Sequence, residues 1–309
     1  MNFHAVRRTL SAPIRARLDH AASAFLAGEG ALRIDFSEPK GEPALVSPDS
    51  ISWRVFKNPL ALFIGGVAAV ILEFAEPRIR TGVWERSNFR TDPVARLRRT
   101  GLAAMVTVYG ARSVSEAMIA RIRRMHDAIE GVTPSGETYR ANDPELLDWV
   151  QATAAFGFLE AYSRYAAPLT AADRDRYFAE GQAAAKLYGA VGAPQSQADW
   201  RALYERMRPR FESSDIIVEF LSIMRAAPAL PGPIRLAQGT LIRAAIDIVP
   251  DDARAVLGLD RSFGLRPFEG MLVRRMGRRA DRWVLPSSPA AQACVRMGRP
   301  ADWLYRQSR

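Results

Sequence analysis

Cysteine is nearly absent: Cys294 is the one in 309 residues. An internal disulfide is therefore excluded, and the usage fits a reducing compartment such as the cytoplasm. Histidine is almost as scarce. His4 and His20 fall in the first twenty residues, which leaves His126 alone in the interior of the sequence. One cysteine and one interior histidine are too few for a zinc centre. Long apolar runs are missing too. The most apolar stretch, PLALFIGGVAAVIL at 59–72, is broken by Gly65 and Gly66. It falls short of the ~20 residues that span a bilayer, so it predicts a buried core helix. The first twenty residues are basic and carry no apolar segment, which predicts no secretory signal and a cytoplasmic protein. A P-loop, a GxGxxG turn, a GxSxG elbow and an HExxH helix are all absent. Strand alternation and a repeat period of solenoid length are absent as well.

What remains is a globular, helical composition. Hydrophobic residues make up 48% and charged residues 25%, which suits a folded chain with a full core. Apolar positions recur at helical spacing and predict helices near 3–27, 59–75, 92–110, 113–131, 143–166, 170–188, 196–211, 214–226, 233–248, 252–258 and 267–280. Asn58-Pro59, Asp92-Pro93 and Asp143-Pro144 each set a capping side chain before a proline that suits the first helical turn. Thr170 and Asp173 form a capping-box-like start. Segments 28–52 and 131–142 read as loops. The expected plan is an all-α protein: an N-terminal helix and irregular lead-in over 1–49, one large helical domain over 50–260, and a basic extension over 261–309.

The net charge of +10 is concentrated at the C-terminal end, where residues 261–309 hold eleven arginines, no lysine and three acids. Such a segment is either a solvated basic tail or a peripheral contact for an anionic membrane. It has no interleaved aromatic stacking residues and no recognised nucleic-acid motif, so no nucleic acid is expected as a partner.

Candidate chemistry is sparse. On a helical wheel Met118, Ile119, Ile122, Met125, His126 and Ile129 share one face of 113–131. An inward imidazole is either a neutral core histidine bonded to a carbonyl or hydroxyl, or a ligand. On the preceding helix Arg96, Thr100, Ala103 and Thr107 form a stripe. Its small residues admit a close neighbour, and its guanidinium and hydroxyl suit an anionic or oxygen-bearing group. Helix 143–166 is apolar nearly all round, so it is expected at the centre of the bundle. The acids Asp173, Asp175 and Glu180 have no histidine nearby and do not make a metal site.

Read in order, a longer constellation emerges: Gly82-Val83, Ser87-Asn88-Phe89, Asp92-Pro93, Arg96-x-x-x-Thr100, Tyr109-Gly110 and His126-x-x-x-x-Gly131. Gly136, Tyr139, Asp143-Pro144, Trp149-Val150-x-x-Thr153, Asp173, Asp175, Arg176, Tyr177 and Glu180 follow, then Pro250, Arg254 and Leu257-Gly258-Leu259. In this order and spacing, over roughly 50–260, the chain resembles the MpaB-type oxygenase family. That family includes rubber-cleaving latex-clearing oxygenases and a fungal oxygenase that shortens an isoprenoid side chain. The resemblance implies a helical domain enclosing one haem b, with His126 as the proximal ligand of the iron. It places Arg96 and Thr100 in the haem pocket and, with Arg99, among the residues expected to be catalytic. Arg99 stands where rubber-cleaving members carry a lysine that reaches the distal side, and Gln151 stands where many relatives have histidine. Glu73 and Glu76 are the candidates for a distal acid or base. The implied reaction uses O2 to oxidise or cleave a small apolar substrate of isoprenoid or alkene type. A non-catalytic helical protein that binds haem or an apolar ligand is the alternative.

Overall fold

Two glycines decide how the middle of the chain packs. In the computed structural model, which describes Asp19 and residues 34–230 and 232–306, helix α1 (Ile51–Phe56) leads into α2 (Pro59–Ala75). Asn58 starts α2 by accepting from the Leu60 and Ala61 amides at 3.2 and 3.1 Å, with Pro59 at the first helical position. The chain then turns through 112° at Glu76 into α3 (Pro77–Arg86). Helices α4 (Pro93–Tyr109) and α5 (Arg112–His126) follow, then a short antiparallel hairpin, β1 (Glu130–Val132) and β2 (Thr138–Arg140). The long α6 (Pro144–Tyr165) comes next and lies antiparallel against α2. A β-carbon on Gly65 would sit 2.7 Å from the Gly157 carbonyl oxygen, and one on Gly157 would sit 2.3 Å from that of Gly65. The two helices cross backbone on backbone, which only glycine permits on both sides.

The remaining elements wrap this pair. They are α7 (Ala171–Glu180), α8 (Gln182–Tyr188), α9 (Gln197–Met207), α10 (Asp215–Ala226), α11 (Gln238–Ile248), α12 (Asp251–Val256), α13 (Glu269–Ala280), α14 (Pro289–Arg296) and α15 (Trp303–Arg306). The all-α expectation is correct, with β1 and β2 the one sheet among the described residues. Helix α2 is the buried core helix that its apolar run predicts. Among the described residues no single helix is long and apolar enough to cross a membrane.

The predicted caps form as read. Asp92 accepts from the Ala95 amide, Asp143 from the Glu145 amide, and Thr170 exchanges both bonds of a capping box with Asp173. The acidic trio is fully employed in such work. Asp175 accepts from the Gln197 amide, and Glu180 takes the Ile51 and Ser52 amides at the start of α1.

Several boundaries differ from the sequence reading. Segment 131–142 is a hairpin, registered Glu130 with Arg140 and Val132 with Thr138. Gly136 makes its turn at φ +89°. Helix α5 accordingly ends at His126 rather than 131. The stretch 170–188 divides at Gly181, and 233–248 begins as a 3-10 turn (Gly232–Ala237) before α11. The helix expected over 3–27 lies outside the described residues. The C-terminal segment is not an appendage. Gly277 of α13 packs on the Tyr165 carbonyl oxygen, and Asn58 donates to the Gly277 carbonyl at 2.9 Å. Cys294, Leu304 and Tyr305 are buried in the same core as Trp53 and Tyr109.

The crossing makes a direct prediction. Gly157→Ala forces a β-carbon into backbone and destabilises the fold by about 1–3 kcal/mol. Gly66→Ala meets no atom nearer than a Phe158 ring carbon at 3.8 Å. It should be neutral or stabilising by up to ~1 kcal/mol through helix propensity. Urea unfolding midpoints of the two variants test the contrast.

Candidate functional site: a gap between four helices

Most helices of a packed bundle bury one face completely. Four here carry, beside what they bury, a second stripe that is only half-buried. Such residues recur one turn apart as Leu62, Gly66, Val70 and Glu73 on α2; on α4 they are Arg96, Ala103 and Thr107, with exposed Thr100 between the first two. The pattern continues as Val114, Met118, Ile122 and His126 on α5, and as Leu147, Val150, Ala154 and Phe158 on α6. Cross-connections tie the stripes together. Buried Thr153 of α6 donates to the Val150 carbonyl at 2.9 Å and also approaches Glu73 Oε1 of α2 at 3.5 Å, and the Thr107 hydroxyl lies 3.1 Å from that of Tyr188 on α8. Burial pushes the Tyr188 phenol up. These side chains are neither sealed nor fully exposed, so the four stripes leave an incompletely packed space, a gap in the bundle.

The chemistry gathers at one end of this gap. Burial raises the Glu73 carboxyl to about 7, against the pull of the Arg96 charge and the Thr153 hydroxyl. Arg96 is itself pushed down by burial and held up by Glu73, although the two form no direct ion pair. His126 is pushed down by burial and by the same Arg96 charge, so the imidazole is neutral at pH 7. One guanidinium thus sits within electrostatic reach of a carboxyl on α2 and an imidazole on α5.

His126 ends its helix and faces a cleft of about 440 Å³, lined by Asp127, Glu130, Arg140, Asn142, Asp143 and Pro144. The Asn142 amide nitrogen donates to Asp127 at 2.5 Å and to the Arg123 carbonyl at 3.1 Å. Its Oδ1 is left buried beside the imidazole without a hydrogen bond of normal geometry. The hairpin that carries Asn142 to this place depends on two glycines. A β-carbon on Gly131 would lie 2.5 Å from the Tyr139 hydroxyl, and one on Gly82 would lie 3.0 Å from the Tyr139 ring.

The residues named from sequence are only partly gathered. Arg96 lies within electrostatic reach of His126, without a hydrogen bond between them. Thr100 is exposed, and its hydroxyl turns back to the Arg96 carbonyl at 3.0 Å. Arg99 is exposed and bonded to the Asn88 side chain, so it does not reach across the gap. Met125, placed on the inward face by the wheel, is 57% exposed. Of the two acid candidates, Glu76 is fully buried in structural work. It takes the Arg78 and Ile79 amides, the Arg78 guanidinium at 2.8 Å and the Arg210 guanidinium at 3.1 Å. Glu73 has no such partners, and burial governs its proton. Thr153 and Asn142 were not singled out for chemistry. The signal for Thr153 was its place in the Trp149-Val150-x-x-Thr153 motif, one turn before Gly157.

A helical bundle that keeps a carboxyl, a guanidinium and a neutral imidazole around an uncovered apolar gap is a small-molecule-binding domain with acid–base capacity. The chain belongs to the family described as ER-bound oxygenase mpaB/B'/Rubber oxygenase, catalytic domain, whose model matches residues 53–282. It is thus an oxygenase-type catalytic domain, a class that uses dioxygen and an organic substrate. Two uncharacterized proteins, one of Mycobacterium bovis and one of Mycobacterium tuberculosis, are each 26% identical to it over 228 residues. Those alignments cover 70% of this chain and 88% of theirs. No solved structure matches the chain.

The raised Glu73 carboxyl carries a stability signature. The folded state holds its proton more tightly than the unfolded chain, so stability falls as the pH rises from 4.5 through 7. Over that window wild type should lose about 2 kcal/mol relative to Glu73→Gln. Chemical denaturation at a series of pH values tests this, and parallel curves for the two proteins would contradict it.

Proposed function

We propose that this domain is a haem-b-dependent oxygenase acting in the cytoplasm. Its reading of the substrate is a small apolar molecule of isoprenoid or alkene type, oxidised or cleaved with O2. The observation that supports it most is the set of half-buried, largely apolar stripes on α2, α4, α5 and α6, with His126 at the end of one of them. The donor set fits the group. A planar macrocycle needs apolar walls, a neutral imidazole for its iron and a cation for its carboxylates. Ile122 and Met118 lie one and two turns before His126, and Arg96 is the cation facing it.

His126 would hold the iron. The orphaned Asn142 Oδ1 is an acceptor for one imidazole N–H, which fixes the tautomer and leaves the opposite ring nitrogen's lone pair free. A haem so held supplies the redox chemistry of dioxygen. The protein's own groups do the rest. Arg96 presents a fixed positive charge to an anionic group in the gap. Glu73 holds a proton below about pH 7 and releases it above, with Thr153 donating to its Oε1 in the charged form. It therefore exchanges a proton with a substrate carbon or oxygen near neutral pH. The apolar stripes exclude water and select substrate by shape rather than by polar contacts. Arg99 and Thr100 take no part in these steps from their exposed positions.

The visible spectrum of the purified protein, reconstituted with haemin and run beside His126→Ala, tests the reading. Stoichiometric binding with a Soret band that is lost or shifted in the variant is the expected result. Wild-type protein that takes up no haemin would overturn it. Binding without dioxygen uptake in the presence of any alkene would favour a carrier of haem or apolar ligand over an oxygenase.

A further inference from the structure

We infer that the outer face of α13, with the turn before it, docks on an anionic phospholipid membrane, Phe268, Met271 and Leu272 entering the lipid interface. Three exposed apolar side chains lie here within five residues: Phe268 at 83%, Met271 at 63% and Leu272 at 48%. The start of α13 is fixed against α11, whose Arg243 and Thr240 bind Glu269, its first residue.

The backbone holds this tip outward. Phe268 has φ +68° and ψ −17°, a left-handed conformation that a bulky aromatic residue rarely adopts. A strained residue whose ring is then left in water contributes nothing to the core, which points to a role outside it.

Charge completes the surface. Arg261, Arg266, Arg274, Arg275, Arg278, Arg279 and Arg282 are all exposed. The two acids of the same stretch are already neutralised within the protein: Glu269 pairs with Arg243, and buried Asp281 pairs with Lys57 at 3.2 Å. Along α13 the exposed face begins with Met271 and Leu272 and continues one and two turns later with Arg275, Arg278 and Arg279, while Val273, Gly277 and Ala280 face the core. Apolar residues ahead of a basic face are what an anionic bilayer surface accepts: side chains among the acyl ends, guanidiniums at the phosphates. A nucleic-acid surface would match the arginines but leave Phe268, Met271 and Leu272 unexplained.

The test uses the full chain and sedimentation with vesicles of phosphatidylcholine alone or mixed with phosphatidylglycerol. Binding is expected to the mixed vesicles only, with a part that persists in high salt. Phe268→Gly should weaken it about tenfold, the loss of one inserted ring. The same change should leave the melting temperature equal or higher, because glycine relieves the left-handed strain. Arg274→Gln with Arg275→Gln should weaken binding further at low salt. No binding to the mixed vesicles would overturn the proposal. So would equal binding to both vesicles, full release by salt with no effect of Phe268→Gly, or binding to nucleic acid that ignores Phe268→Gly.

Discussion

Everything at the site depends on the approach of α2 and α6 at Gly65 and Gly157. Because each glycine lies against the other's carbonyl, the two antiparallel helices have one register and no slack to slide. Moving along α6 from Gly157 towards its start, Thr153 falls opposite Glu73, and Trp149 reaches the Leu72 carbonyl with its indole N–H at 3.2 Å. Further the other way, Phe158 lies over Gly66 and stacks obliquely on Phe56, 4.9 Å between ring centroids. A single steric contact thus sets which face of each helix is sealed and which is left along the gap. The Glu73–Thr153 bond is a consequence of that register, two helical turns from the glycine on α2.

The same corner of the fold separates two glutamates three residues apart. Glu76 terminates α2, caps α3 and gathers Arg78 and Arg210, so its charge is matched on every side. Arg78 and Arg210 in turn reach Glu145 and Glu137, which ties α3, β2's approach and the start of α6 into one ionic network. Such a network is structural, since each member is committed to the others. Glu73 is left with a hydroxyl and a distant guanidinium, and burial therefore governs its proton. Chemical capacity comes from incomplete satisfaction, and the fold supplies it to one carboxyl by satisfying its neighbour.

Local features were legible in the sequence and the assembly was not. Caps at Asn58, Asp92, Asp143 and Thr170 involve atoms two or three residues apart, and proline beside a short polar side chain announces them. The hairpin at 130–140 was missed because its strands are three residues each, too short for alternation to show. At the site, His126 and Arg96 stood out through scarcity and through the family's motifs. Thr100 followed from the stripe it shares with Arg96 and from the motif, Arg99 from motif position alone; both are exposed, Thr100 although it keeps the phase of Arg96. The pairing of Glu73 with Thr153 spans 80 residues. No spacing rule reaches that far; it required knowing that two glycines touch.

The arginines of the C-terminal segment show why a charge count cannot assign a role. Arg296 is 1% exposed, and its guanidinium binds the Phe36 carbonyl at 2.8 Å and the Glu42 carbonyl at 2.9 Å. Its own carbonyl accepts from the Gly41 amide at 2.8 Å. It is a clamp between the lead-in and α14, and α14 packs on α4, the helix that carries Arg96. The arginines of α13 do the opposite: their helix buries a face of small and aliphatic residues, and they stay in water with no acid left to meet them. One residue type therefore serves as an internal strut in one helix and as an unbalanced surface in the next. The family match ends at 282, yet the clamp lies beyond it, so chain outside the catalytic-domain match covers part of α4 and buries Cys294 and Tyr305 in one core with Tyr109 at the end of that helix. A truncation at the end of that match would uncover α4 and release the lead-in without removing any residue of the gap itself.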